Sequence, residues 1–223
     1  VFAGLMRISA WIAKLAGAHM LWLLVSAPFL FSVWMSRDTG SVLAMIVAAV
    51  FGVAMGVPAT AALFGVVRPW VMGRIDSGIW SPFWRTWREL YVRSVALGAL
   101  AIGFCAVAYS AWETYGASDG WMQSLRIVVL IAVVVAVCGM LHTMCYFVHF
   151  RLSFWQSVFS GLLFAFVQPW NTFVSVLVVA MLVHASIVWP GLALFFCASV
   201  AAMIVFYQYE RAVRAMRLTR SEP

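Results

Sequence analysis

Charge is what this 223-residue sequence has least of. Only 9% of it is Asp, Glu, Lys or Arg, against 65% hydrophobic residues, and the mean hydropathy is +1.02. A soluble domain is roughly half apolar and a quarter charged, so composition gives an integral membrane protein. Acid is scarcer still: Glu113, Asp119 and Glu210 fall at the ends of apolar runs, and no carboxylate lies inside one. That weakens a proton- or sodium-coupled transporter, which needs a buried acid. Cysteine is sparse, and Cys105, Cys138, Cys145 and Cys197 all sit within apolar runs, which argues against a disulfide framework. No nucleophile–base pair or facing carboxylates organise the scattered Ser and Thr, so the chain reads as a non-enzyme. The first apolar run exceeds the about 7–15 residues of a cleavable signal core and reads as a retained helix.

What is present is a series of membrane-length apolar segments. Roughly 20 apolar residues cross the hydrocarbon core as a helix. Six segments approach that length, at about 15–35, 41–60, 94–112, 125–148, 170–188 and 191–207, with the turn Trp189-Pro190-Gly191 between the last two. With both ends inside, the inner segments hold Arg7, Lys14, Arg68, Arg74, Arg85, Arg88, Arg93, Arg151, Arg211, Arg214, Arg217 and Arg220. The outer loops keep only Arg37 and Arg126, against Asp38, Glu113 and Asp119. This bias predicts an all-α integral membrane bundle, a single domain over 1–223 with six spans and both termini cytoplasmic. The net charge of +7 therefore points to anionic membrane lipids and gives no reason to expect nucleic acid.

The chain is organised around residues 56–93, where an apolar run closes at Arg68 and a charged segment follows. Phe83, Trp84, Trp87 and Tyr91 fall at i, i+1, i+4 and i+8, one face of a helix. The spacing predicts an amphipathic helix at 82–92 lying in the cytoplasmic interface, rings toward lipid. A second is expected at 153–164, after Arg151. Phe83-Trp84 and Phe154-Trp155 each follow a span and a basic residue, which hints at a parallel internal repeat. Arg68, Arg74, Arg85, Arg88 and Arg93, with Trp84 and Trp87, form a candidate docking surface for a protein partner. The same arginines also serve as a topology signal and headgroup contacts.

Two further patterns lie inside spans. Ala44, Ala48, Gly52, Gly56 and Thr60 place a small residue at every fourth position, a ladder that lets a neighbouring backbone approach closely, in this chain or in a homo-oligomer. Pro58 is expected to kink that helix. Cys138, His142, Cys145 and His149 share one helical face, with His19 and His184 on other spans. Imidazole and thiolate are common metal and haem ligands, which makes His142, Cys145 and His149 candidate ligands. Ligands stacked along one helix cannot all reach one ion, and membrane Cys is ordinarily a small hydrophobe, so no cofactor is expected. Twelve Met and twelve Trp read as packing filler and interface anchors.

The sequence resembles the YesL family of small bacterial membrane proteins. The resemblance rests on His19-Met20-Leu21-Trp22, on the run Gly56–Arg68 with Pro58-Ala59-Thr60, and on Phe83-Trp84-Arg85-Thr86-Trp87-Arg88. It departs from the family pattern at His19, where Asn is usual, and at Pro69, where a basic residue is usual. Genes of that family tend to lie beside carbohydrate-uptake ABC transporters. The resemblance therefore implies a protein of the bacterial inner membrane that assists an ABC-type carbohydrate importer through its permease or ATPase. A stand-alone small-solute channel and a haem- or metal-binding membrane protein are the competing readings.

Overall fold

The computed structural model describes residues 2–118, 120–188 and 190–221. Asp119 and Trp189 lie outside the described residues, as do the side chains of Arg7, Arg217 and Arg220. Every described element is helical. In chain order these are α1 (Phe2–Thr39), α2 (Val42–Phe51), a π-helical turn (Gly52–Gly56) and α3 (Val57–Val71). There follow α4 (Trp80–Gly116), α5 (Trp121–His149), α6 (Phe154–Val167), α7 (Pro169–Val188) and α8 (Pro190–Ser221).

Among the described residues four helices are long and apolar enough to cross a bilayer: Ser9–Thr39, the rod Val42–Val71 that joins α2, the π turn and α3, Trp80–Gly116 and Trp121–His149. A fifth is reached if α6 and the first part of α7, bent by 96° at Gln168, make one broken span. Of the six expected segments, 191–207 falls in α8, where the side chains of 190–194 lie outside the described residues. The exterior supports the membrane assignment independently. Leu24, Phe31, Val50, Val107, Ile127 and Ile131 are all more than half exposed, an apolar outer surface that water would not tolerate.

The rod Val42–Val71 shows why the small-residue ladder works. Pro58 has no N–H, and its ring clashes with the carbonyl one turn back. The chain answers with the π turn just before it, where the Val57 amide donates to the Gly52 carbonyl, five residues back. A spacing of four drifts around an α-helix, and the wider π turn rotates the ladder back. Ala48 and Gly56 are buried, and Gly52 and Gly56 receive the ring of Phe29 from α1. A Cβ on either glycine would stand 3.0–3.1 Å from that ring. The Thr60 hydroxyl donates to the Gly56 carbonyl at 2.8 Å and accepts from Trp22 Nε1 at 3.1 Å, tying α1 to α3.

Beyond the π turn the rod dives into the protein. Ala59 and residues 61–67 are all buried, so α3 is the axis of the core. Phe83, Met144, Phe206 and Tyr209 close around its Leu63 and Phe64 from α4, α5 and α8. Residues 82–92 form the first turns of α4, continuous with the expected span at 94–112. Phe83 of the aromatic face is fully buried against protein, because α3 offers it a better apolar surface than a headgroup layer would. Of the expected 153–164, Ser153 caps α6 and the rest fall within it; α6 packs along α5, where a Cβ at Gly139 would stand 2.5 Å from Leu162 and one at Gly161 would stand 2.8 Å from the Gly139 carbonyl. Its free side carries Trp155, Phe159, Leu163 and Phe166, all exposed, so α6 meets lipid with an apolar face. The two Phe-Trp segments are thus built differently, one opening an unbroken 37-residue helix and the other a short helix that ends in a sharp bend.

Candidate functional site

Base gathers at one end of the bundle, where the end of α3, the loop 72–79, the start of α4 and the end of α5 meet. Arg68 projects from the last turn of α3 and is followed by Pro69. Arg74 sits in a loop that is fastened at several points. Its amide donates to the Pro69 carbonyl at 2.8 Å, and Trp70 Nε1 donates to the Ser77 carbonyl at 3.2 Å. Lys14 Nζ reaches over from α1 to the Ile75 carbonyl, and Trp11 packs edge-on against Trp70 with centroids 5.9 Å apart. Gly73, at φ +88°, supplies the left-handed turn that starts the loop. Arg85 comes from the first turns of α4.

These elements enclose a cavity of about 200 Å³, lined by Arg68, Arg74 and Arg85 with Gly65, Ser77 and Thr86. Its wall is rigid, because α3 and α4 touch at Gly65 and Thr86: a Cβ on Gly65 would stand 2.6 Å from Thr86 Cβ. Among the described residues none of the three guanidiniums has a hydrogen-bond or ion-pair partner. Arg68 Nε is buried without one. Glu89 is the one carboxylate in the lining, so three positive charges face a single negative one. Arg68 also feels the like charges of Arg74 and Arg85 and the opposite charge of Glu210.

Glu210 is the residue that sequence reasoning placed outside any site. It lies on α8, only 7% exposed, and accepts from Arg214 Nε at 2.9 Å while His149 Nδ1 stands 3.5 Å from its other oxygen. The signal for half of this was present, since Glu and Arg at i, i+4 form a helical ion pair. The His149 contact joins α5 to α8 and could not be read from one helix alone.

Of the remaining docking candidates, Arg88 and Arg93 lie on α4 outside the cavity lining, Arg88 exposed. Beside them a line of rings runs up the start of α4: Trp80 to Trp84 at 5.8 Å, Trp84 to Trp87 at 6.2 Å and Trp87 to Tyr91 at 5.7 Å. The Cys/His face of α5 is divided among separate surroundings. Cys138 Sγ faces the Thr172 carbonyl at 4.0 Å, His142 packs on Phe164 with centroids 4.7 Å apart, Cys145 is sealed in the core, and His149 meets Glu210. His19 Nδ1 accepts from the Ala198 amide at 3.2 Å, and His184 is exposed. No group of three or more His, Cys, Asp or Glu is placed to hold a metal among the described residues.

Fold and site together define the class: a multi-pass, all-helical membrane protein with a braced, arginine-lined cavity at one end. Residues 15–112 match the family described as "Protein of unknown function, DUF624", and the resemblance to YesL proteins holds. Over 99 residues the chain is 31% identical to "Uncharacterized protein YesL" of Bacillus subtilis (strain 168), covering 44% of this chain and 37% of that protein. It is 26% identical to "Uncharacterized protein YteU" of the same organism over 216 residues, 96% of this chain and 85% of that one. "Uncharacterized protein YesV", also from that organism, is 22% identical over 151 residues, 67% and 73% of the two chains. No solved structure matches the chain.

Proposed function

We propose that this chain is a non-enzymatic accessory protein of the bacterial inner membrane, with both termini in the cytoplasm, that docks on an ABC-type carbohydrate importer. The observation that carries docking is the start of α4. It is continuous with a span in a 37-residue helix, about 55 Å long at 1.5 Å per residue, against a hydrocarbon core of about 30 Å. A rigid helix of that length stands clear of the bilayer, and its first turns offer Trp80, Arg88 and Tyr91 in exposed positions. Trp, Tyr and Arg are the residues that dominate binding energy at protein interfaces. The identity of the partner rests on the family resemblance and on nothing in the geometry.

A solute channel through one molecule would need a polar wall. Two cavities between the helices, about 510 Å³ between α1, the π turn, α4 and α5 and about 360 Å³ between α4, α5 and α6, are walled almost wholly by apolar side chains. Such walls suit acyl chains.

Affinity purification from native membranes in mild detergent tests the docking reading. The expected result is an importer permease or ATPase recovered in near-equal amount and lost with Arg88→Glu at equal expression. Recovery of the protein alone as a defined oligomer, or partner recovery unchanged in Arg88→Glu and Trp87→Ala, removes the proposal.

A further inference from the structure

We infer that the cavity between Arg68, Arg74 and Arg85 is a binding site for a phosphate group. The inference stands apart from the docking proposal, which uses the opposite side of the α4 start.

Three arginines that line one small cavity repel one another, and among the described residues that line it the positive charges outnumber the negative. Glu89 is the only carboxylate in the lining, and Glu210 is already engaged by Arg214 and faced by His149. Such an arrangement is stable when an anion occupies it, and guanidinium forks match the tetrahedral oxygens of phosphate in bidentate pairs. Arg68 adds a buried Nε–H that has no acceptor among the described residues. Leaving a buried donor unpaired costs free energy, so an acceptor belongs there. Thr86 and Ser77 add polar side chains to the lining.

The cavity is also pre-shaped, which separates it from a loose patch of surface arginines. The Gly65–Thr86 contact fixes one wall, and the Lys14, Trp70 and Pro69 contacts hold the loop that presents Arg74. Binding then requires little ordering of the chain. The position, at the end of two membrane-length helices, allows the phosphate to come from a phospholipid headgroup or from a soluble phosphate species. The recognition chemistry is the same in both.

The test uses the full-length protein in detergent, in two arms. In the first, sodium phosphate is titrated against sodium chloride at matched ionic strength while the melting temperature is followed. In the second, the protein is taken from nanodiscs of phosphatidylglycerol or of phosphatidylcholine and its retained lipid is counted by native mass spectrometry. Stabilisation by phosphate identifies a soluble species; retention of phosphatidylglycerol without that stabilisation identifies the headgroup. In either case Arg68→Gln is expected to weaken binding by about tenfold or more, the value of a charged hydrogen bond. Arg74→Gln, on an exposed loop, should do the same without disturbing the helices, and Arg88→Gln should leave binding unchanged. The inference fails if the wild type responds to neither probe. It fails equally if Arg68→Gln and Arg74→Gln, shown folded by helix content and a single size-exclusion peak, respond as the wild type does.

Discussion

At Gly161 an added methyl group would come within 2.7 Å of the Thr143 amide nitrogen and 2.8 Å of the Gly139 carbonyl oxygen, both backbone atoms. Backbone cannot rotate away, so Gly161→Ala should lower the melting temperature markedly, by the equivalent of about 1–3 kcal/mol for overpacking. Gly103→Ala, where nothing stands within 4 Å, is the control and should leave it unchanged. If both variants melt together with the wild type, the α5–α6 contact is not tight. A second expectation concerns charge. Glu210→Gln takes the carboxylate from Arg214 and from His149 beside it and should cost about 1–3 kcal/mol, the range for leaving a buried polar group short of its partner. Arg214→Ala, at a side chain 62% exposed, should cost no more than about 1 kcal/mol. Comparing the two melting curves separates the buried contact from the surface pair.

Among the elements, α1 and the rod Val42–Val71 are matched through Phe29 and the glycines of the π turn. Gly52→Leu or Gly56→Leu should disrupt that packing, while Gly56→Ala, whose obstacle is only a ring that can shift, should be mild. Combining Gly56→Ala with Phe29→Leu should recover the loss, and thermal unfolding of the four members of the cycle measures the coupling. Equal melting of Gly56→Leu and wild type would refute the ladder. The small-residue spacing was legible in the sequence because a four-residue repeat is a local pattern. The π turn was not, since it depends on how the chain answers Pro58. In the same way the ring periodicity at 83–91 showed a helix but not its surroundings. A buried face and a lipid face are both apolar, and only α3 packed against Phe83 distinguishes them.

For the whole molecule, the long apolar runs and the grouping of base were legible from composition and order, and these place the membrane and the charged end. The site was legible in part. Arg68, Arg74 and Arg85 were visible as a cluster, but Arg88 and Arg93 look the same in sequence and do not reach the cavity. Glu210 enters the charge network only when α8 folds back beside α3 and α5. The proposed threading has a direct check. A cysteine introduced at Arg74 should react only with reagent that reaches the cytoplasm, and one at Ser118 should react from outside, on a background lacking the native Cys. Labelling of both positions from one side would overturn that arrangement.

The bend between α6 and α7 bears on how the protein is made. At the break, the Thr172 hydroxyl donates to the Ala165 carbonyl at 2.7 Å, so an acceptor freed by the bend is met inside the chain. With 14 residues, α6 extends about 21 Å, too short to be retained by hydrocarbon alone. What holds it is the groove that Gly139 opens in α5. By length α6 makes a span only together with α7, across the 96° bend. Its seat depends on that contact with α5, which ties the packing of the second half of the chain to the helix made just before it.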